Sequence, residues 1–131
     1  MPSSVATFLM FEGTAEEAMN CYVSLFKRSE VIRIERYGPG EQGKEGSVKL
    51  ASFKLCGHDL KCIDSPAKHA FTFTPSISLF VECENEAELD EAFKKLSTGG
   101  LVLMPLDNYG FSKKFGWLND RFGVSWQLNL R

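Results

Sequence analysis

The sequence is poor in the residues that most often hold metals or move protons. It has two histidines, His58 and His69, and four cysteines, Cys21, Cys56, Cys62 and Cys83, with no CxxC pair. Scattered thiols in a chain of 131 residues read as reduced, mostly buried side chains rather than a disulfide framework. Long runs of one charge are missing: 15 Lys and Arg stand against 17 Asp and Glu, for a formal net charge of −2. That leaves no electrostatic footprint for nucleic acid or an anionic membrane. No stretch approaches the ~18 apolar residues of a spanning helix, and the first residues lack the charged and apolar regions of a secretion signal. These absences point to a cytoplasmic protein with neither a membrane nor a nucleic acid as partner. Glycine-rich strand-to-helix turns are missing as well. The two junctions of that kind, Glu12-Gly13-Thr14 and Cys83-Glu84-Asn85, carry no such run to hold a nucleotide-based methyl donor, and the chain is short for the doubly wound sheet that uses one.

What is present suits one globular domain, residues 1–131, with a sizeable core: 44% apolar and 24% charged residues. Val5 to Phe11 reads as a strand. Thr14 and Glu17 form a capping box for a helix beginning near Ala15, with Ala18, Cys21, Tyr22 and Leu25 on one stripe and Met19 and Phe26 beside it. Val31 to Tyr37 alternates as a half-exposed strand. Gly38 to Ser47, with four glycines and a proline, reads as a mobile connection or as a lid over a pocket. Val48 to Cys56, a turn at Gly57-His58-Asp59 and Leu60 to Asp64 complete a first module, 5–64. A linker, 65–75, leads to a second module, 76–130. There Pro75 to Cys83 is again a strand, Asn85 with Glu88 again caps a helix, and Leu89, Ala92, Phe93 and Leu96 repeat the stripe 71 positions on. Leu101 to Leu106 follows, then a hairpin of Ser112 to Leu118 and Val124 to Leu130. In its last strand Val124, Trp126 and Leu128 alternate with Ser125, Gln127 and Asn129. Each half reads strand, helix, three strands, which implies an α+β fold of two paired βαβββ modules with a shared cleft.

Two βαβββ modules in one short chain resemble the vicinal oxygen chelate superfamily of glyoxalase I, bleomycin-resistance proteins and extradiol dioxygenases. The segments FLMFEGTAEEAMNCYVSLF, RYGPG, GSVKLASF, FTFTPSISLFVEC and LMPLDNYGFSKKFGWLNDRFGVSWQLNL resemble more narrowly its PhnB-like branch, labelled 3-demethylubiquinone-9 3-methyltransferase-like. The resemblance runs from Thr7 to Leu130. It implies a glyoxalase-like fold of curved mixed sheets around a cleft, and a homodimer. In metal-dependent members each module supplies a ligand from its first strand and one from its last, usually His and Glu. Here Gln127 stands where the last carboxylate would be, and Lys61, with Ile63 as the alternative, stands at the matching place of the first module. The first-strand positions fall at Thr7 and around Ser76 to Ser78. Neutral amides and hydroxyls hold transition metals poorly, and Asp64 is the one candidate ligand. The resemblance with these departures implies no metal and no cofactor, and the methyltransferase name is a family label rather than an activity.

The expected function is metal-independent binding or turnover of a small molecule in an apolar cleft. Its candidate lining is Phe53 and Trp117 for the apolar part, with Thr7, Ser78, Ser125 and Gln127 as orienting polar groups and Asp64 as a cleft-facing acid. Asp64 also reads as a turn or surface carboxylate, and His58 and His69 as surface residues. Two other readings stand beside this one. The first is a divalent-metal lyase, isomerase or dioxygenase using Asp64 and His58, and the second is a non-catalytic dimer whose cleft is filled by its own aromatics. Lys113 and Lys114 would favour an anionic ligand if they faced it, and otherwise read as a solvated strand edge.

Overall fold

The order strand, helix, three strands occurs twice, as the sequence implies. The structure, a computed structural model, describes residues 3–131 and divides between His69 and Ala70 into two units. In the first, β1 (Thr7–Phe11), α1 (Ala15–Leu25), β2 (Glu30–Arg36), β3 (Val48–Leu55) and β4 (His58–Asp64) build a sheet of order β1-β4-β3-β2. Strand β1 runs parallel to β4, and the other pairs are antiparallel. In the second, β5 (Leu79–Glu82), α2 (Glu86–Ser97), β6 (Leu101–Asp107), β7 (Lys114–Asn119) and β8 (Ser125–Leu130) repeat it in the order β5-β8-β7-β6. This is the glyoxalase-like α+β fold.

One face of the first sheet is built to meet α1. Leu9, Phe11, Ala51, Phe53, Leu60 and Cys62 share it and are buried, as are Ala15, Ala18, Met19 and Tyr22 of the helix. Each large side chain so covered contributes about 1.5–3 kcal/mol. The stripe starts at Ala15 rather than Ala18, so Met19 is buried while Cys21 and Leu25 are only half-buried. The cap of α1 is also not the one expected, for Thr14 makes no side-chain capping bond. Asp64, from the end of β4, does that work instead. Its Oδ1 accepts from the N–H groups of Gly13 (2.8 Å) and Ala15 (2.9 Å), and its Oδ2 accepts from Val48 N–H (2.9 Å). The carboxylate thus satisfies helix-start donors that would otherwise be orphaned.

The β3–β4 hairpin closes on Cys56 and Gly57, both at positive φ (50° and 85°), so His58 opens β4 instead of lying in the turn. The glycine-rich segment after β2 is tied back on itself. Tyr37 N–H donates to Ser47 O, Gly46 N–H donates to Tyr37 O, and the Tyr37 hydroxyl donates to Asp64 O at 3.1 Å. Gly43 lies under the Tyr37 ring, where a Cβ would stand 2.2 Å from Cε2.

In the second unit α2 carries the expected signals. Asn85 Oδ1 accepts from Glu88 N–H at 2.8 Å, Glu88 Oε1 accepts from Glu84 N–H at 3.1 Å, and Leu89, Ala92, Phe93 and Leu96 are buried. The helix packs so closely on β7 that a Cβ on Gly116 would meet Phe93 Cε2 at 2.4 Å. Trp126 and Leu128, fully buried, share that helix-facing side. The β7–β8 turn is organised by Asp120, whose Oδ1 accepts from Phe122 and Val124 N–H and whose Oδ2 accepts from Trp126 Nε1 (2.9 Å).

The two units align with different offsets for strand and helix. Phe8 pairs with Lys61 and Phe80 pairs with Gln127, both away from the helices, so the first strands are 72 positions apart while the helices are 71 apart. The second junction is one residue shorter. On this register Leu130 takes the place of Asp64, and α2 carries its own cap in Asn85 where α1 borrows one.

Candidate ligand-binding site

The seven residues singled out in the sequence separate into two groups. Thr7, Phe53 and Asp64 all lie on the α1 side of the first sheet. Phe53 is buried in that core, and Asp64 is a buried carboxylate whose two oxygens are occupied by backbone N–H groups. Thr7 pairs with Leu60, and its hydroxyl meets His58 Nε2 at 2.9 Å. The reading of Asp64 as a cleft-facing acid or a surface carboxylate is therefore corrected. It is a helix cap supplied from 49 residues away in sequence. The first-strand residues that face away from the helices, beside Lys61 and Gln127, are Phe8 and Phe80, which are 55% and 54% exposed. Thr7, the first-strand position that the resemblance implies, is one residue away from that register, and the segment TFLMF carries no polar–apolar alternation to set the parity.

The other four, Ser78, Trp117, Ser125 and Gln127, come together on the face of the second sheet turned away from α2. Ser125, only 2% exposed, accepts from Trp117 Nε1 at 2.9 Å, and its hydroxyl meets that of Ser78 at 2.6 Å. Gln127 Nε2 donates to Ser78 Oγ at 3.3 Å. Gln127 is flanked on the neighbouring strands by Phe80 and Trp117. Farther along the same face, Phe115 is packed edge-on by Phe111 (centroids 5.1 Å) and Tyr109 (6.1 Å), with Phe80 at 6.4 Å. An apolar surface with a few converging polar groups is the usual composition of a small-molecule site.

The ionisable groups nearby are engaged elsewhere. Lys114 turns to the α2 side and reaches Asp90 (2.7 Å) and Glu86 (3.0 Å), and the hydrogen bonds it donates to Asp90 and then to Glu86 push its ammonium pKa up. On the far face Glu82 accepts from Asn129 Nδ2 at 3.0 Å and lies 3.8 Å from Arg131 Nε. Among the described residues no three His, Cys, Asp or Glu side chains converge as a metal set would. The groups around Gln127 are hydroxyls, an amide and indole, a donor set that does not fit a divalent transition ion.

The first unit has a separate groove of about 600 Å³ between the β1–α1 junction, the tied-back loop and the segment after β4. Gly13, Glu16, Lys44, Asp64, Ser65 and Lys68 are among its walls. Its charges are of both signs, and Asp64 is already saturated there.

Comparison with known proteins agrees with this architecture. The family model described as 3-demethylubiquinone-9 3-methyltransferase matches residues 3–129. The PhnB protein from Bacillus cereus is similar at 58% identity and a TM-score of 0.96, over 98% of this chain and 100% of that one. Protein PA1353 from Pseudomonas aeruginosa is similar at 25% identity and 0.86, over 99% and 98%. A mutant of the fosfomycin resistance protein FosX from Listeria monocytogenes, solved with Mn(II) and dihydroxypropylphosphonic acid, shares the fold at 12% identity and 0.63, over 98% and 93%. None of the curated proteins matches the chain. The chain belongs to the PhnB-like 3-demethylubiquinone-9 3-methyltransferase family.

Proposed function

We propose that the protein binds a small organic molecule, as a binding protein or an enzyme, on the far face of the second sheet, without a metal ion. The observation that carries this reading is the hydrogen-bonded chain Trp117–Ser125–Ser78–Gln127, set beside Phe80 and the Phe111–Phe115 cluster. Buried hydroxyls held in a network are pre-positioned, so they orient a ligand at little entropic cost. The metal-dependent alternative, a lyase, isomerase or dioxygenase, lacks a donor set at Gln127. Methyl transfer is not part of this reading, because the strand-to-helix junctions Glu12-Gly13-Thr14 and Cys83-Glu84-Asn85 carry no glycine-rich turn of the kind that holds a nucleoside methyl donor in a doubly wound sheet.

Self-association accompanies this reading. The edge strands β2 and β6 each carry two exposed apolar residues, Val31 and Ile32 on one and Leu101 and Val102 on the other. Apolar sheet edges favour pairing between copies. A homodimer sediments at twice the chain mass, and a monomer at micromolar concentration would remove this part of the proposal. The binding reading is tested by titrating chelator-treated protein with a panel of small organic compounds while following the Trp117 indole N–H resonance. Binding that moves it supports the site. A ligand that binds and moves only groove residues such as Lys44 and Lys68 relocates it to the first unit.

A further inference from the structure

The polar groups on this face have protons to count. Ser125 Oγ accepts from Trp117, the two serines share one hydroxyl proton, and Gln127 gives one N–H to Ser78. That leaves the pair one hydroxyl proton and Gln127 one N–H to offer. The carbonyl oxygens of the face are left without donors: Gln127 Oε1 takes no hydrogen bond from the described residues, and Asn119 Oδ1 and Asn129 Oδ1 are buried and take none either. Asn119 lies opposite Ser125, and Asn129 is two residues beyond Gln127, so all three oxygens are on one side of the sheet.

Unmet carbonyl oxygens act twice. The reachable one, on Gln127, calls for a donor, since a polar group closed off by a ligand without a partner costs what desolvation costs. The buried ones leave their partial negative charge uncompensated, which repels an anion. The carboxylate of Glu82 lies on the same face, with Arg131 on it at 3.8 Å, and the lysine of β7, Lys114, is turned to Glu86 and Asp90 of α2. Phe80 and Trp117 are the neighbours of Gln127 on the two adjoining strands, and flat rings stack on aromatic side chains.

We infer that the ligand of this face is an uncharged aromatic molecule that donates a hydrogen bond to Gln127 Oε1, through a phenolic hydroxyl or a ring N–H. The inference rests on the placement of the site proposed above. Three probes of one shape test it: 2-naphthol, 2-methoxynaphthalene, which lacks the donor, and 2-naphthoate, which adds a negative charge. The readout is the two indole N–H resonances. Trp117 is on the proposed face, and Trp126, bonded to Asp120 on the α2 side, is the internal control.

The expected result is that 2-naphthol shifts Trp117 and leaves Trp126 in place, binding about tenfold more tightly than 2-methoxynaphthalene, as one hydrogen bond allows. The naphthoate binds more weakly still. Gln127→Leu should bring 2-naphthol down to the affinity of its methyl ether. Equal binding of the naphthol and the methyl ether, or preference for the naphthoate, overturns the ligand class while leaving the site. Failure of all three to move Trp117 overturns the site itself, and the ligand class with it.

Discussion

The indole Nε1 of Trp117 donates to the hydroxyl of Ser125 at 2.9 Å, from one strand to the next across the far face of the second sheet. Ser125 is buried and is also met by Ser78, so its removal strands two partners at once. Ser125→Ala should cost about 1–2 kcal/mol of stability, read from urea unfolding, and should speed exchange of the Trp117 indole proton. An unchanged exchange rate would show that the bond is not made in solution.

The cap of α1 leads to a second expectation, because it inverts what the local sequence suggests. Asp64→Asn keeps the shape but turns an NH₂ group toward backbone donors, and should cost about 2–4 kcal/mol. Thr14→Ala, at the position that looks like the cap, should lie within about 0.5 kcal/mol of the parent. In α2, where the cap is local, Asn85→Ala should cost about 1 kcal/mol. Denaturant midpoints of the three variants order them. A Thr14 variant as damaged as the Asp64 one would refute the borrowed cap.

A pH effect follows from Glu16. Both of its carboxylate oxygens accept from Arg36, at 2.5 and 2.7 Å, and these hydrogen bonds, with the arginine charge, hold its pKa below the ordinary carboxylate value. A lowered folded-state pKa gives stability that is present above the ordinary carboxylate range and is lost as pH falls through the lowered value. Arg36→Met should therefore be less stable than the parent at neutral pH, with the gap closing in acid. Both side chains are well exposed, so the gap should be small and should shrink with added salt. A gap that widens in acid would contradict the assignment.

The thiols should react in order of their surroundings. Burial, and then the charge of Asp64, pushes the Cys62 pKa up to about 12, whereas Cys56 sits exposed in the β3–β4 turn. The thiolate is the reactive form. A thiol reagent at pH 8 should label Cys56 first and leave Cys62 and the buried Cys83 until the chain unfolds, which mass spectrometry of the labelled peptides would show. Early labelling of Cys62 would mean that the first sheet opens readily.

Local signals were legible in the sequence and long-range ones were not. The Asn85–Glu88 cap and the Leu89–Leu96 stripe needed only i+3 and i+4 neighbours, and both stand as read. The Thr14–Glu17 box had the same signature, yet Asp64 displaces it, and a carboxylate 49 residues away in sequence leaves no local mark. Polar residues alternating with Trp126 and Leu128 placed Ser125 and Gln127 on one side together, and they do share a hydrogen-bonded chain. Thr7 and Phe53 lie on the α1 face of their sheet and Lys61 on the other, because parallel pairing of β1 with β4 sets the parity and no turn connects them. Phe8 and Phe80 stand beside Lys61 and Gln127 only through the register of the two parallel strand pairs.

The central claim is a site that works on hydroxyls, an amide and aromatic rings, without a metal ion. Its most direct test is the metal content of protein purified without chelator, measured beside a Gln127→Leu variant. The account predicts well below one divalent ion per chain in the natural protein. About one tightly held equivalent per chain, lost on Gln127→Leu, would contradict it and make Gln127 a ligand.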